Sequence, residues 1–252
     1  MGGRGAVLLN TRFNARLSRV HVLLCVTLTL PALADTRVDE TAIDRRDFVT
    51  CPAIRIDGSQ FAEQDRSLIC DAAARAREFF RSFGIGIRQS IRIEASSEAG
   101  GLPHIGSFSL TDRIVRLTGQ RRAGSEMAGD TLFGLPLNET LYRSVVVHEL
   151  AHAIANQHFV DARPSLVAQE YIAYVAQLST LETATRARIL AANSLPAYAS
   201  VDEMSSTYYA MDPSGFGIKV YRHFLSLDDP GAFLRGLLSG DIKAETSEYR
   251  LP

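Results

Sequence analysis

The chain has 252 residues, 46% of them apolar and 22% charged, with a formal net charge of −1. That length is enough to bury a real hydrophobic core. The near-neutral balance offers none of the basic excess that a nucleic-acid or polyanion partner would call for.

The first 34 residues read as a targeting segment. Arg4, Arg12, Arg16 and Arg19 precede the apolar run Val22–Leu30, and Pro31-Ala32-Leu33-Ala34 closes it. A basic start, a short apolar stretch and an Ala-x-Ala site are the marks of a cleavable signal peptide. The run is too short for a spanning helix, which wants about 20 apolar residues. The expectation is export to a periplasmic or secreted location, with no stable membrane span after cleavage. Cleavage before Asp35 removes Cys25 and leaves Cys51 and Cys70. An even pair in an oxidising compartment points to a disulfide.

The mature chain, 35–252, is expected to be one domain with an α/β part (35–137) and a helical part (138–252). Residues 35–50 are polar and read as a lead-in, and 53–56 alternate as a short strand. Apolar residues at helical spacing predict a helix over 61–83, ending at Gly84. Residues 85–87 and 91–93 read as strand, and 95–105 as loop. Ser107–Leu110 and Ile114–Leu117 flank Thr111-Asp112-Arg113 and read as a hairpin. Residues 118–138, with Arg121-Arg122, read mostly as loop. Asn138 can cap a helix to about Asn156, and Pro164 can open another to about Leu178. Further helices are expected at 183–193, 202–210, 216–226 and 230–238. The fold class is therefore α+β.

Chemistry concentrates in His148-Glu149-Leu150-Ala151-His152. Histidines four apart on a helix present both imidazoles on one face, where a single Zn²⁺ can bind both. Glu149 between them can reach water at the metal. The flanking residues, Val145-Val146-Val147 and Ala153-Ile154, are apolar, so the histidines are buried and need partners. A catalytic zinc takes a third protein ligand, and two residues compete for the role: Glu170 on the next helix and His158 six residues beyond His152.

His-Glu-Leu-Ala-His at 148–152, followed by Pro164 and Ala168-Gln169-Glu170-Tyr171-Ile172-Ala173-Tyr174, resembles the gluzincin group of zinc metallopeptidases, which includes thermolysin-like enzymes. The resemblance covers roughly residues 138–178. It implies Zn²⁺ on His148, His152 and Glu170, with Glu149 as general base and a peptide or protein as substrate. It also implies that the edge strand beside the zinc helix holds extended substrate. The chain departs from the group at Tyr174, where many members carry an Asp that orients a histidine ligand. The rival metzincin pattern fits the spacing of His158, but Ala155 stands where it needs Gly, and Met204 and Met211 match its methionine turn only loosely. Tyr208, Tyr209 and His223 are candidates for a donor to the reacting carbonyl. A zinc hydrolase of non-peptide amides and a non-catalytic zinc scaffold are the alternative readings. The sequence does not indicate the oligomeric state.

Overall fold

The computed structural model describes residues 48–57, 60–96, 105–126 and 131–245. The expected signal peptide lies outside them, as does most of the lead-in and of the 95–105 loop.

A five-stranded sheet forms the first layer, in the order β1 (Phe48–Cys51), β2 (Ile54–Asp57), β3 (Ile91–Ala95), β5 (Ile114–Leu117), β4 (Gly106–Ser109). β1–β2 and β4–β5 are antiparallel hairpins, and β3 runs parallel to both β2 and β5. The alternation in the sequence decides which face is buried. Ile54 and Ile56, Ile91 and Ile93, Phe108, and Val115 and Leu117 point inward, while Arg55 is exposed. The parallel β2–β3 pair needs a crossover. Helix α1 (Glu63–Ser82) supplies it and buries Leu68, Ile69, Ala72, Ala76 and Phe80. Cys51 at the end of β1 is disulfide-bonded to Cys70 of α1, with Cα atoms 5.6 Å apart. Closing a loop of this size stabilises the fold by about 3 kcal/mol.

Helix α3 (Glu139–Asn156) packs against α1 and strands β3 to β5, and α4 (Leu166–Ser179) packs on α3. Asn138 caps α3 by accepting from Leu141 N at 2.9 Å. Both helices are buried almost all round, so they form the middle layer of the molecule. Then follow α5 (Thr183–Ala192), a 3₁₀ turn (Val201–Glu203), α6 (Ser206–Met211), α7 (Pro213–Ser226) and α8 (Pro230–Ser239). Of these, α6, α7 and α8 pack on α4. One continuous core runs from Cys51 to Ala244. The architecture is α+β, with a small sheet first and a helical half after it. Among the described residues no helix is long and apolar enough to cross a membrane.

Several elements differ from the sequence reading. Phe48–Cys51 is a strand rather than lead-in, because its backbone pairs with β2. Residues 85–87 are not a strand. Their neighbourhood is bound to the end of α3 instead: Gln157 Oε1 accepts from Arg88 N (2.7 Å) and Gln89 N (2.9 Å), and His158 Nε2 lies 2.6 Å from Gly86 O. Residues 118–138 hold a short helix α2 (Gln120–Glu126), with Arg121 and Arg122 on it, and a hairpin of β6 (Thr131–Leu132) and β7 (Leu135–Pro136). Asp65 of α1 accepts from Gln120 N at 3.0 Å and so starts α2, a contact invisible to local pattern. Phe133 and Gly134 at the tip of the hairpin have φ of 53° and 80°. The buried Phe133 ring, edge-on to Tyr174 at 6.1 Å, offsets the cost of that backbone. α4 opens at Leu166, capped by Ser165, two residues after Pro164. The 202–210 helix is split in two, and Ser205 caps the second piece, α6.

Candidate metal centre

Ser144, His148 and His152 recur at four-residue spacing, so they share one face of α3. Glu170, Tyr174 and Gln177 share one face of α4 by the same rule. The helices run antiparallel, and these two faces meet: His152 opposes Glu170, and His148 opposes Gln177.

His148, His152 and Glu170 form the one group of three or more His, Cys, Asp or Glu among the described residues that could hold a metal ion. His148 Nε2 and His152 Nε2 are 3.1 Å apart. Glu170 Oε2 is 3.4 Å from His148 Nε2, and Oε1 is 3.5 Å from His152 Nε2. Tetrahedral zinc with bonds of 2.0–2.2 Å separates its ligand atoms by about 3.3 Å. The three spacings match that geometry. A further sign is Glu170 Oε2 itself, which is buried and lacks a hydrogen-bond partner. An orphaned buried carboxylate oxygen is costly unless a cation meets it. The donor set, two imidazoles and a carboxylate, suits a divalent transition metal.

The electrostatics are those of charges confined away from water. Burial pushes the His148 imidazole down, but the facing Glu170, then Glu149 and the Gln177 bond, outweigh this and raise it. Burial pushes His152 down to about 4, with Glu170 only partly opposing. Burial would raise Glu170, but the two histidines prevail and hold it below the usual carboxylate range. Burial pushes Glu149 up to about 7, against the pull of His148 and with the repulsion of Glu170. A carboxylate poised near neutrality is what a general base requires.

Glu149 lies where α3 meets the edge strand β4. A Cβ at Gly106 would fall 2.7 Å from Glu149 Cγ and 2.9 Å from Leu117 Cδ2, so only glycine fits between strand and base. Tyr174 occupies the position where the gluzincin pattern has Asp. Its ring packs edge-on against His148 with centroids 4.6 Å apart. Gly217 of α7 makes room for it, since a Cβ there would come within 2.5 Å of the Tyr174 ring.

Of the three candidate donors, the structure brings one to the site. Tyr209 is buried, and its hydroxyl interacts with Glu170, and electrostatically with Tyr174 and Glu149, without a hydrogen bond of regular geometry. Tyr208 instead faces Asp212 Oδ2 at 3.4 Å. His223 sits apart, with Nδ1 2.8 Å from the Tyr171 hydroxyl and Phe233 beside it. His158 is bonded to the Gly86 carbonyl and takes no part in the group, and Met211 is exposed. Gln177, Ser144, Gly106 and Gly217 were not singled out from sequence. Gln177 was open to detection by its spacing, seven residues from Glu170 on the same helical face.

No curated protein and no solved structure matches the chain. A family model does match, over residues 54–247, a span that includes the sheet from β2 onward and all four residues at 148, 149, 152 and 170. The chain therefore belongs to DUF6639, a family of unknown function.

Proposed function

We propose that this protein is an exported zinc metallopeptidase in which His148, His152 and Glu170 hold the metal and Glu149 is the general base. The observation that carries this reading is the near-tetrahedral spacing of the three ligand atoms, 3.1, 3.4 and 3.5 Å, with the buried Glu149 carboxylate beside them. Zinc bound there supplies Lewis-acid polarisation of a carbonyl and lowers the pKa of water. Glu149 takes one proton from the attacking water as the water oxygen bonds to the scissile carbon. It passes that proton to the leaving nitrogen as the C–N bond breaks, giving a carboxylic acid and an amine, and the acid's proton then moves to the amine so that they part as carboxylate and ammonium. Tyr209, whose buried hydroxyl lies beside Glu170, donates to the carbonyl oxygen as negative charge builds on it. A peptide substrate is favoured by strand β4, which among the described residues pairs only with β5 and lies against the base at Gly106. An extended chain can add to such an edge by main-chain hydrogen bonds.

A non-catalytic zinc scaffold is the second reading. It takes support from how enclosed the group is: His148, His152, Glu149 and Glu170 are each at most 5% exposed. The two readings separate by metal analysis beside a hydrolysis assay on peptide libraries and on non-peptide amides. A zinc-loaded wild type that cleaves peptides, with Glu149→Gln inactive yet zinc-loaded, supports the peptidase. Cleavage confined to non-peptide amides makes it an amidase of another kind. Zinc with no hydrolysis makes it a scaffold.

A further inference from the structure

We infer that Gln177 is a positioning residue that sets the metal-competent tautomer of His148, through a chain of hydrogen bonds that starts at the Leu141 carbonyl. The inference rests on the metal reading above and goes beyond it, because it assigns how the ligand is held.

The chain can be followed donor by donor. Ser144 Oγ donates to Leu141 O at 2.7 Å. That bond uses the only hydroxyl proton, so toward Gln177 Ser144 can offer nothing but lone pairs. Gln177 Nε2 meets them as a donor at 3.1 Å. The amide is thereby oriented, and its Oε1 faces His148 Nδ1 at 3.0 Å. A carbonyl-type oxygen only accepts, so Nδ1 carries the proton. Nε2 is then left with its lone pair, and it is Nε2 that faces His152 and Glu170. A flipped amide would turn NH₂ toward Nδ1, put the ring proton on Nε2 and block the metal position. It would also force Ser144 to leave Leu141.

Burial makes the arrangement firm. Gln177 is 2% exposed and Ser144 3%, so neither group can exchange its partner for water. The choice of an amide over a carboxylate also has a reason. Two buried carboxylates, Glu149 and Glu170, already lie within the cluster. An uncharged acceptor fixes the ring without burying a third negative charge.

The test compares Gln177→Met, which keeps the volume but has no acceptor, with Gln177→Glu, which keeps an acceptor. Both are made in the mature chain, with circular dichroism of the zinc-free proteins to show folding. Zinc affinity is read by competition with a chromophoric chelator, and the His148 Nδ1 proton by ¹H–¹⁵N spectra of the zinc-loaded protein. Partners of this kind change metal affinity by about 10–100-fold. Gln177→Met should weaken zinc by that factor and lose the slowly exchanging Nδ1 proton. Gln177→Glu, which keeps an acceptor, should lose clearly less zinc affinity than Gln177→Met and keep the Nδ1 proton. Equal loss in both variants, or an unchanged Gln177→Met, overturns the inference while leaving the metal reading intact. Failure of the wild type to bind zinc overturns both. If Gln177→Met does not fold, the wild type decides: absence of a hydrogen-bonded Nδ1 proton near the Gln177 side chain overturns the inference.

Discussion

Two buried histidine sites can be compared within the helical half. In one, His223 Nδ1 meets the Tyr171 hydroxyl at 2.8 Å, Phe233 flanks the pair, and no carboxylate takes part. In the other, His148 and His152 press their Nε2 atoms to 3.1 Å, two carboxylates share the space, and Glu170 Oε2 finds no hydrogen-bond partner among the described residues. The first is what a core histidine looks like when the fold satisfies it. The second is incomplete as protein alone: the ligand atoms of His148, His152 and Glu170 lie within 4.8 Å of one another with Glu170 Oε2 unmet. The three histidines are each 5% exposed, so it is the polar accounting that separates a packed site from one that could hold a metal ion.

The sharpest way to break that contrast is to remove one histidine from each site. His152→Ala should reduce bound zinc from one equivalent toward none and abolish hydrolysis. His223→Ala should leave zinc content and rate per folded molecule unchanged and cost only stability. Metal analysis after dialysis, beside thermal melts, checks both. Loss of zinc from His223→Ala would mean that the two sites are one network.

Next in size come the groups assigned to chemistry rather than to binding. Glu149→Gln should lower kcat by about 10²–10⁴-fold, and Tyr209→Phe by about 10²–10³-fold. Each should retain its zinc. A Glu149→Gln variant with wild-type activity would remove the base from the mechanism.

The same residue predicts a pH effect in the zinc-free protein. Glu149 is raised from 4.5 to about 7 by burial. Between those values the folded state keeps a proton that the unfolded state has released. Stability therefore falls as pH rises through that window, and the deficit is complete above it. Zinc-free Glu149→Gln lacks the penalty. Denaturant melts should show it more stable than wild type at pH 8, by up to about 3 kcal/mol, and level with it near pH 4. Equal stability at both pH values would mean that Glu149 is better solvated than its burial implies.

How much of this was legible in the sequence depends on whether the signal was local. The α3 motif is a local pattern: spacing 148–152 places the imidazoles, and the apolar flanks bury them. Glu170 is a candidate from its place on the next helix and from the resemblance, and the packing of α4 on α3 puts it against both histidines. Gln177 is not legible in this way, because the gluzincin pattern points to position 174, one turn past Glu170, for the orienting residue. The acceptor lies almost a full turn further on, and Tyr174 fills the nearer space with its ring. The 85–87 stretch was misread because its β-like composition says nothing of Gln157 and His158, which reach it from α3. Helix α2 was missed for the same reason, since its first turn is bound by Asp65. Long-range side-chain bonds override local propensity where they satisfy backbone groups.

The smallest predicted effect contrasts two tyrosines, one from each site. Tyr171 and Tyr209 are both buried, and burial pushes both hydroxyls up. They differ in what the hydroxyl does. Tyr171 is bonded to His223, so Tyr171→Phe strands a buried ring nitrogen and should cost about 1–3 kcal/mol of stability. The Tyr209 hydroxyl has only its looser contact with Glu170 to lose, so Tyr209→Phe should cost the zinc-free protein less than Tyr171→Phe does and leave it within about 1 kcal/mol of wild type. Chemical denaturation of the zinc-free variants measures both. If the order is reversed, Tyr209 is a structural residue tied to Glu170, and its place among the groups that act on substrate is lost.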